Sequence, residues 1–513
     1  MKYTGSASIR SIVYLSMLIL LKFSFQIVIV SRGFISVSAD EFSRGIRAAQ
    51  WTTQPHFNML ADMKETWLPF EKYLNGLFLL LWPDVIWAPR VTVFIASCLV
   101  LIALFMLVYY LFDNFLVAAL AGAFVVFQPW YIWLSGTPML EMYYLACFLG
   151  GLVFLVIWLN EARRGYWFWA GCCFMLASGF HVQSWVFISV VNLITVVYLC
   201  RYVSHKQPGR LLRLVGFYIL ANSFIITFAI IEFLNTGHLF SFLSKHTSYS
   251  KWFYEGYNVA ILEKLLYYPK LIIHNSSGVI WILLLLALAF LLRDRACKWK
   301  LFPLAIAVLA LIINSAMNVF SVPATAAPER YSLFYVIMIS PYLAYGTYRL
   351  STFGRQWSSR LMAYTSVVLS VALFLYGMWW GIIRIPDFPL GMSKDAIQTG
   401  YYLDKVLGQN ESDKMARYMV ELRYWDFLAV KLTAKHYDAV VYDREYDSFN
   451  RNTSSIFSER IADVCASLTS QNIRYIALRE SNLKANALSM GCLHANREIG
   501  RWTVYEVYAN PEP

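Results

Sequence analysis

The sequence predicts a mainly α, polytopic membrane protein of about eleven transmembrane helices, with interfacial helices in its first outer loop and a soluble α/β domain outside at its C-terminus. Three observations lead there. The 513 residues are 59% hydrophobic and only 14% charged, whereas a soluble domain carries about 25% charged residues. Apolar runs close to the roughly 20 residues that cross a bilayer recur along the first three quarters of the chain. They stop near residue 383, and short strand-like and helical patterns take over.

The apolar runs lie at about 11-31, 90-112, 116-134, 139-160, 166-180, 181-200, 212-233, 277-292, 301-320, 331-348 and 361-383. Lys and Arg fall in alternate loops: Lys2 and Arg10, Arg163 and Arg164, Arg201 to Arg213, Arg293 to Lys300, and Arg349 to Arg360. Cytoplasmic loops retain such residues, so the N-terminus is inside. The loops at 31-88, 234-276 and 321-330 and the tail beyond 384 are then outside. The net charge of +12 reflects these loop markers and is no nucleic-acid footprint. Ser31-Arg32-Gly33 lacks the small-residue pattern of a cleavage site, so the first run stays as a helix. Lys22, near its middle, either snorkels to the outer interface or meets an anionic lipid.

Residues 1-383 therefore form a transmembrane domain and 384-513 an extracytoplasmic one, joined by the stiff stretch Arg384-Ile385-Pro386-Asp387-Phe388-Pro389. In the second, 438-442 and 473-478 read as buried strands and 502-508 as a half-exposed one, with a helix face at Ile456, Ile461, Val464, Cys465 and Leu468 between them. Cys465 and Cys492 are either a disulfide in an oxidising compartment or two buried thiols. The other cysteines lie in or near apolar spans as small hydrophobes.

The loop at 31-88 is too long for a simple connector, which marks it as functional. It opens on Ala39-Asp40-Glu41 and continues through Trp67-Leu68-Pro69-Phe70-Glu71-Lys72-Tyr73. Phe42, Ile46 and Ala49 share a helical face near Trp51, which lays this segment along the membrane surface. Glu141 enters the fourth span, where a carboxylate costs about 2.5–3.5 kcal/mol and is functional by default, or else pairs with a neighbouring Arg. Outer-side cations include Lys72, Arg90 and Arg330. The aromatic and basic loop 234-276 is either a mobile cover or an interfacial belt.

These motifs in this order resemble the GT-C glycosyltransferases, particularly the branch of the protein O-mannosyltransferases and the bacterial aminoarabinose transferases. Asp40-Glu41, the Trp67-to-Gly76 segment, Ala88-Pro89-Arg90 and Leu140-Glu141-Met142 are similar to that branch's opening, aromatic, helix-entry and fourth-span motifs. Glu141 stands where Asp is usual, and His181 is the basic group left where many relatives carry Thr-Lys-Gly. The resemblance implies transfer of a sugar from a polyprenyl-phosphate donor to a lipid, glycan or protein acceptor outside the inner (plasma) membrane. It implies Asp40 as base, with Glu41 positioning and Glu141 orienting sugar or acceptor. Lys72, Arg90 and Arg330 are its phosphate candidates, with Tyr73, Trp67 and His181 as further binding residues. One carboxylate at the acceptor suffices for inverting single displacement. A divalent metal near Asp40, Glu41, Glu141 and His56 is left open. A ligase or polymerase acting on lipid-linked glycan and a transporter are the rivals. The first would rely on outer Arg and His, the second on repeated Gly/Pro-broken spans.

Overall fold

A computed structural model describes residues 5–58, 68–161, 165–202, 208–239, 260–276, 278–293, 300–320, 329–353, 360–385, 394–409, 416–445, 454–458 and 461–508. They group into two compact units. One holds residues up to 33, 57–71 and 93–387, and the other holds 34–56, 72–92 and 388–513. Elements of the long loop after the first apolar run thus belong with the C-terminal residues.

The first unit is helical. Its helices are α1 (Gly5–Ser31), then, after two helices of the outer loop, α2 (Asp40–Thr53) and α3 (Phe70–Leu81), α4 (Trp87–Phe112), α5 (Phe115–Val126), α6 (Pro129–Leu134), α7 (Leu140–Glu161), α8 (Tyr166–Phe180), α9 (Gln183–Tyr202) and α10 (Pro208–Thr236). Then come α11 (Ile261–Ser276), α12 (Val279–Arg293), α13 (Phe302–Val319), α14 (Leu333–Phe353) and α15 (Arg360–Arg384). The described residues of the eleven apolar runs lie mainly on helix. The run at 116-134 is split where Pro129, which has no N–H to continue a helix, opens α6 as its first residue. Among the described residues six helices are long and apolar enough to cross a membrane, or seven if α11 and α12 are one broken span; α5, α8 and α9 are shorter apolar helices. The protein is a multi-pass membrane protein.

Within this unit α7 packs on α8 and α8 on α10, while α14 touches α5, α12, α13 and α15. Leu333 to Thr347 of α14 are all buried. A helix apolar all round is an interior one, and the 3-10 turn Glu329–Ser332 that leads into it is thereby held in place. Lys22 does not snorkel: it is fully buried, with Nζ 3.6 Å from the centre of the Phe94 ring, a cation–π contact.

The second unit contains α16 (Lys394–Gln409), β1 (Arg417–Val420), α17 (Phe427–Ala434), β2 (Val440–Tyr442), α18 (Ile461–Ser470), β3 (Ile473–Leu478), α19 (Ser481–Leu488), β4 (Leu493–Ile499) and β5 (Trp502–Val507). The five strands run in the order β2-β1-β3-β5-β4. β1 is parallel to β2 and β3, and β5 is antiparallel to β3 and β4. Because β5 sits between two strands it is buried along nearly its whole length rather than half exposed. Cys465 and Cys492 are joined as a disulfide.

The apolar face of α2 differs from its expected surroundings. Phe42, Ile46 and Ala49 are buried in one core with Val420, Val430, Leu432 and Trp502, and α2 packs on α17. An amphipathic face is satisfied by protein as well as by lipid, and here protein covers it.

Candidate active site

Asp40 and Glu41 form the first turn of α2, where the unpaired N–H groups of a helix favour negative charge. Glu41 is 1% exposed and its Oε1 accepts from Arg90 Nη2 at 2.7 Å. Arg90 also donates to the Ile86 carbonyl at 2.6 Å and the Ile35 carbonyl at 2.7 Å. This guanidinium therefore ties the start of α4 to the segment before α2. Burial pushes the Glu41 carboxyl up to about 8, against the opposing pull of Arg90, the Val37 backbone and Arg44. Asp40 is half-buried, and its own N–H donates to Ser38 Oγ at 3.3 Å. The neighbouring carboxylates are thus unequal, one locked inside and one reaching the surface.

The far end of α2 is held by aromatic packing. A Cβ on Gly76 would come within 2.3 Å of the Trp51 ring, so a glycine is required for α3 to approach α2 this closely. Trp51 lies 6.0 Å from the Tyr73 ring and donates from Nε1 to the His56 carbonyl at 2.6 Å. Tyr73 and Lys72 are both buried, with the Lys72 ammonium 5.6 Å from the Tyr73 ring centre. Asn75 accepts from Thr92 at 2.6 Å.

The first unit carries its own polar cluster. Glu141, in the first turn of α7, is 1% exposed, and its Oε1 accepts from Arg330 Nε at 2.6 Å. The two residues are 189 apart in sequence. Next to Arg330, Tyr331 meets His181 Nε2 at 3.2 Å, and Ser332 Oγ accepts from Asn275 at 2.9 Å. Asn275 Oδ1 in turn accepts from Arg384 at 3.2 Å. His181 Nδ1 accepts the Gln183 N–H at 2.9 Å. That leaves the ring proton on Nε2, so His181 serves here as a neutral donor to Tyr331. Tyr144 lies 5.3 Å from the His181 ring and donates to Gln183 at 3.1 Å.

Three successive side chains of the 329–332 turn are thus tied to α7, to the α8–α9 junction and to α11. Sequence reasoning named Glu141, Arg330 and His181 but missed Tyr331, Ser332 and Gln183. Tyr331 and Ser332 have no local signal, because their partners come from distant helices. Asn275, which fits a glycosylation sequon, is buried in this network. Trp67 and residues 240–259 of the expected cover lie outside the described residues. Among the described residues no three His, Cys, Asp or Glu side chains gather as a metal site.

No family model matches the sequence, and no curated protein matches it. Solved structures do match in fold. The crystal structure of ArnT from Cupriavidus metallidurans bound to undecaprenyl phosphate is 12% identical, with a TM-score of 0.62 over 99% of this chain and 100% of that one. The Archaeoglobus fulgidus oligosaccharyltransferase tethered to an acceptor peptide with the NVT sequon is 13% identical, with a TM-score of 0.57 over 94% of this chain and 70% of that one. The oligosaccharyltransferase AglB from the same organism, in complex with an inhibitory peptide and a dolichol-phosphate, also has a TM-score of 0.57. These likenesses extend along nearly the whole chain, and the protein has the fold of the GT-C glycosyltransferases.

Proposed function

We propose that the protein transfers a sugar from a polyprenyl-phosphate donor to an acceptor hydroxyl on the extracytoplasmic face of the membrane, by single displacement with inversion. The observation that carries this reading is the unequal carboxylate pair: Glu41 is buried and fixed by Arg90, while Asp40 beside it remains half-buried on the same helical turn. A base must reach the hydroxyl it deprotonates, and Asp40 alone of the two has that access.

In the reaction Asp40 takes the acceptor proton as the acceptor oxygen bonds to C1 of the sugar. The bond from C1 to the phosphate oxygen breaks, and polyprenyl phosphate leaves with the electron pair. Developing phosphate charge requires a cation. Lys72 is proposed for that role. The guanidinium of Arg90 is already engaged by Glu41 and two carbonyls, which suits it to positioning. Arg330, held by Glu141, is proposed to contact the lipid carrier, with the neutral His181 orienting Tyr331. Glu141 then acts by aiming Arg330 as well as by orienting sugar or acceptor.

The alternation of Lys and Arg between loops supports an N-inside chain with the carboxylates and the C-terminal sheet outside, and the Cys465–Cys492 disulfide supports that side because such bonds persist in oxidising compartments. The test is an assay in membranes with a panel of radiolabelled polyprenyl-phosphate sugars, comparing the wild type with Asp40→Asn. Loss of transfer in a correctly inserted variant is expected. Near-normal transfer refutes Asp40 as base, and solute flux without transfer of any lipid-linked sugar favours a transporter.

A further inference from the structure

We infer that the C-terminal domain positions the base, and that the contact between Gly45 and Leu432 transmits this positioning. The inference rests on Asp40 acting as the base. It starts from the burial of α2: its apolar face belongs to the core of the C-terminal sheet domain, through Phe42, Ile46, Val430 and Leu432.

At the centre of this contact α2 presents no side chain at all. A Cβ on Gly45 would stand 2.9 Å from Leu432 Cδ2 and 3.3 Å from Cδ1. Leu432 is itself 2% exposed, so its branched end has little room to turn away. A glycine inside a helix is unfavourable relative to alanine, which makes a packing reason for its presence the natural one. Gly45 and Leu432 set the depth at which α2 rests on α17.

Gly45 follows Asp40 by five residues, about 7.5 Å along the helix axis. Carbon atoms pack at about 3.5–4.0 Å. Restoring that separation after adding a side chain at 45 displaces α2 by about 0.6–1.1 Å if Leu432 stays in place. Displacement of a catalytic group by about 1 Å costs up to a hundredfold in rate. Trp51 with Gly76 holds the far end of α2, so a displacement at Gly45 tilts the helix about that end, moving the Asp40 carboxylate and stretching the Glu41–Arg90 contact beside it.

The experiment is a double-mutant cycle in the full chain in membranes. Gly45→Val adds three carbons, and Leu432→Ala removes three from the facing side chain. The readouts are kcat and KM with the radiolabelled donor, together with hydrogen exchange of the α2 amides. For Gly45→Val the expected result is a fall in kcat of tenfold or more with KM changed less than twofold, and recovery of most of that loss in Gly45→Val with Leu432→Ala. If Gly45→Val fails to accumulate folded, Gly45→Ala carries the same cycle.

Wild-type kcat in a folded Gly45→Val, or losses that simply multiply in the double variant, overturns the positioning role. Asp40→Asn is measured alongside. Near-normal transfer by Asp40→Asn rejects the base itself, whereas an inactive Asp40→Asn with an uncoupled Gly45 and Leu432 cycle rejects only the positioning.

Discussion

Replacing Arg90 by Met should loosen α2 in a pH-dependent way. Arg90 and Glu41 meet at 2.7 Å with side chains 9% and 1% exposed. Breaking such a buried pair costs about 3–5 kcal/mol when the remaining charge is stranded. The two lost bonds to the Ile86 and Ile35 carbonyls add about 1 kcal/mol each. Protonation limits the first cost, however, because burial already raises the Glu41 carboxyl to about 8. A group whose folded-state value is raised contributes stability that is complete below its unfolded value near 4.5 and is lost as pH rises through the folded value. In the wild type this loss runs up to and through pH 8. Without Arg90 the carboxyl rises further, so the two proteins differ least near pH 6, where both carry Glu41 protonated, and most above pH 8. Hydrogen exchange of amides 40–53 in the full chain, corrected for intrinsic rates, measures this local opening. A difference of about 3 kcal/mol corresponds to a roughly hundredfold loss of protection. Equal loss at pH 6 and pH 9, or no loss at either, refutes the reasoning.

Two other perturbations are informative. Arg330→Met strands Glu141, which is 1% exposed, and should abolish transfer; Glu141→Gln should do the same, while the pair changed together should lose no more than either alone, as a coupled pair does. Strictly multiplying losses, read from kcat/KM, would contradict one role for the pair. Replacing Cys465 and Cys492 by Ser opens a link spanning 27 residues, worth about 3–4 kcal/mol by the chain-entropy estimate. Lower thermal stability with unchanged kcat at 20 °C is expected; unchanged stability would show that the bond constrains nothing.

The sequence carried much of this fold and left out specific parts for physical reasons. Apolar runs require no partner to be recognised, and the described residues of the eleven lie mainly on helix, six or seven of those helices being long and apolar enough to cross a membrane. β3 was legible as Ile473 to Leu478 because it is buried nearly throughout. β4 was not, since Leu493 and Ile499 are buried but the five residues between them are exposed, giving no alternation. β1 is four residues long, too short for a pattern. The helical period of α2 correctly identified Phe42, Ile46 and Ala49 as a buried face. Period alone does not distinguish lipid from protein, and so the docking of α2 on α17 was invisible. At the candidate site Glu141 was marked by carrying charge in an apolar span, Glu41 by its place beside Asp40 at the head of a long loop, and Arg90 and Arg330 as cations of the loops. Their pairing depends on tertiary packing across 49 and 189 residues, which no local spacing encodes.

The central claim is that Asp40 is the base of a lipid-linked sugar transfer. The most direct measurement is single-turnover transfer of a radiolabelled sugar from polyprenyl phosphate by Asp40→Asn, with donor binding measured on the same preparation. Retained donor binding with transfer reduced at least a hundredfold, within the 10²–10⁴-fold contribution of general acid–base catalysis, is the predicted result. Transfer near the wild-type rate would contradict it.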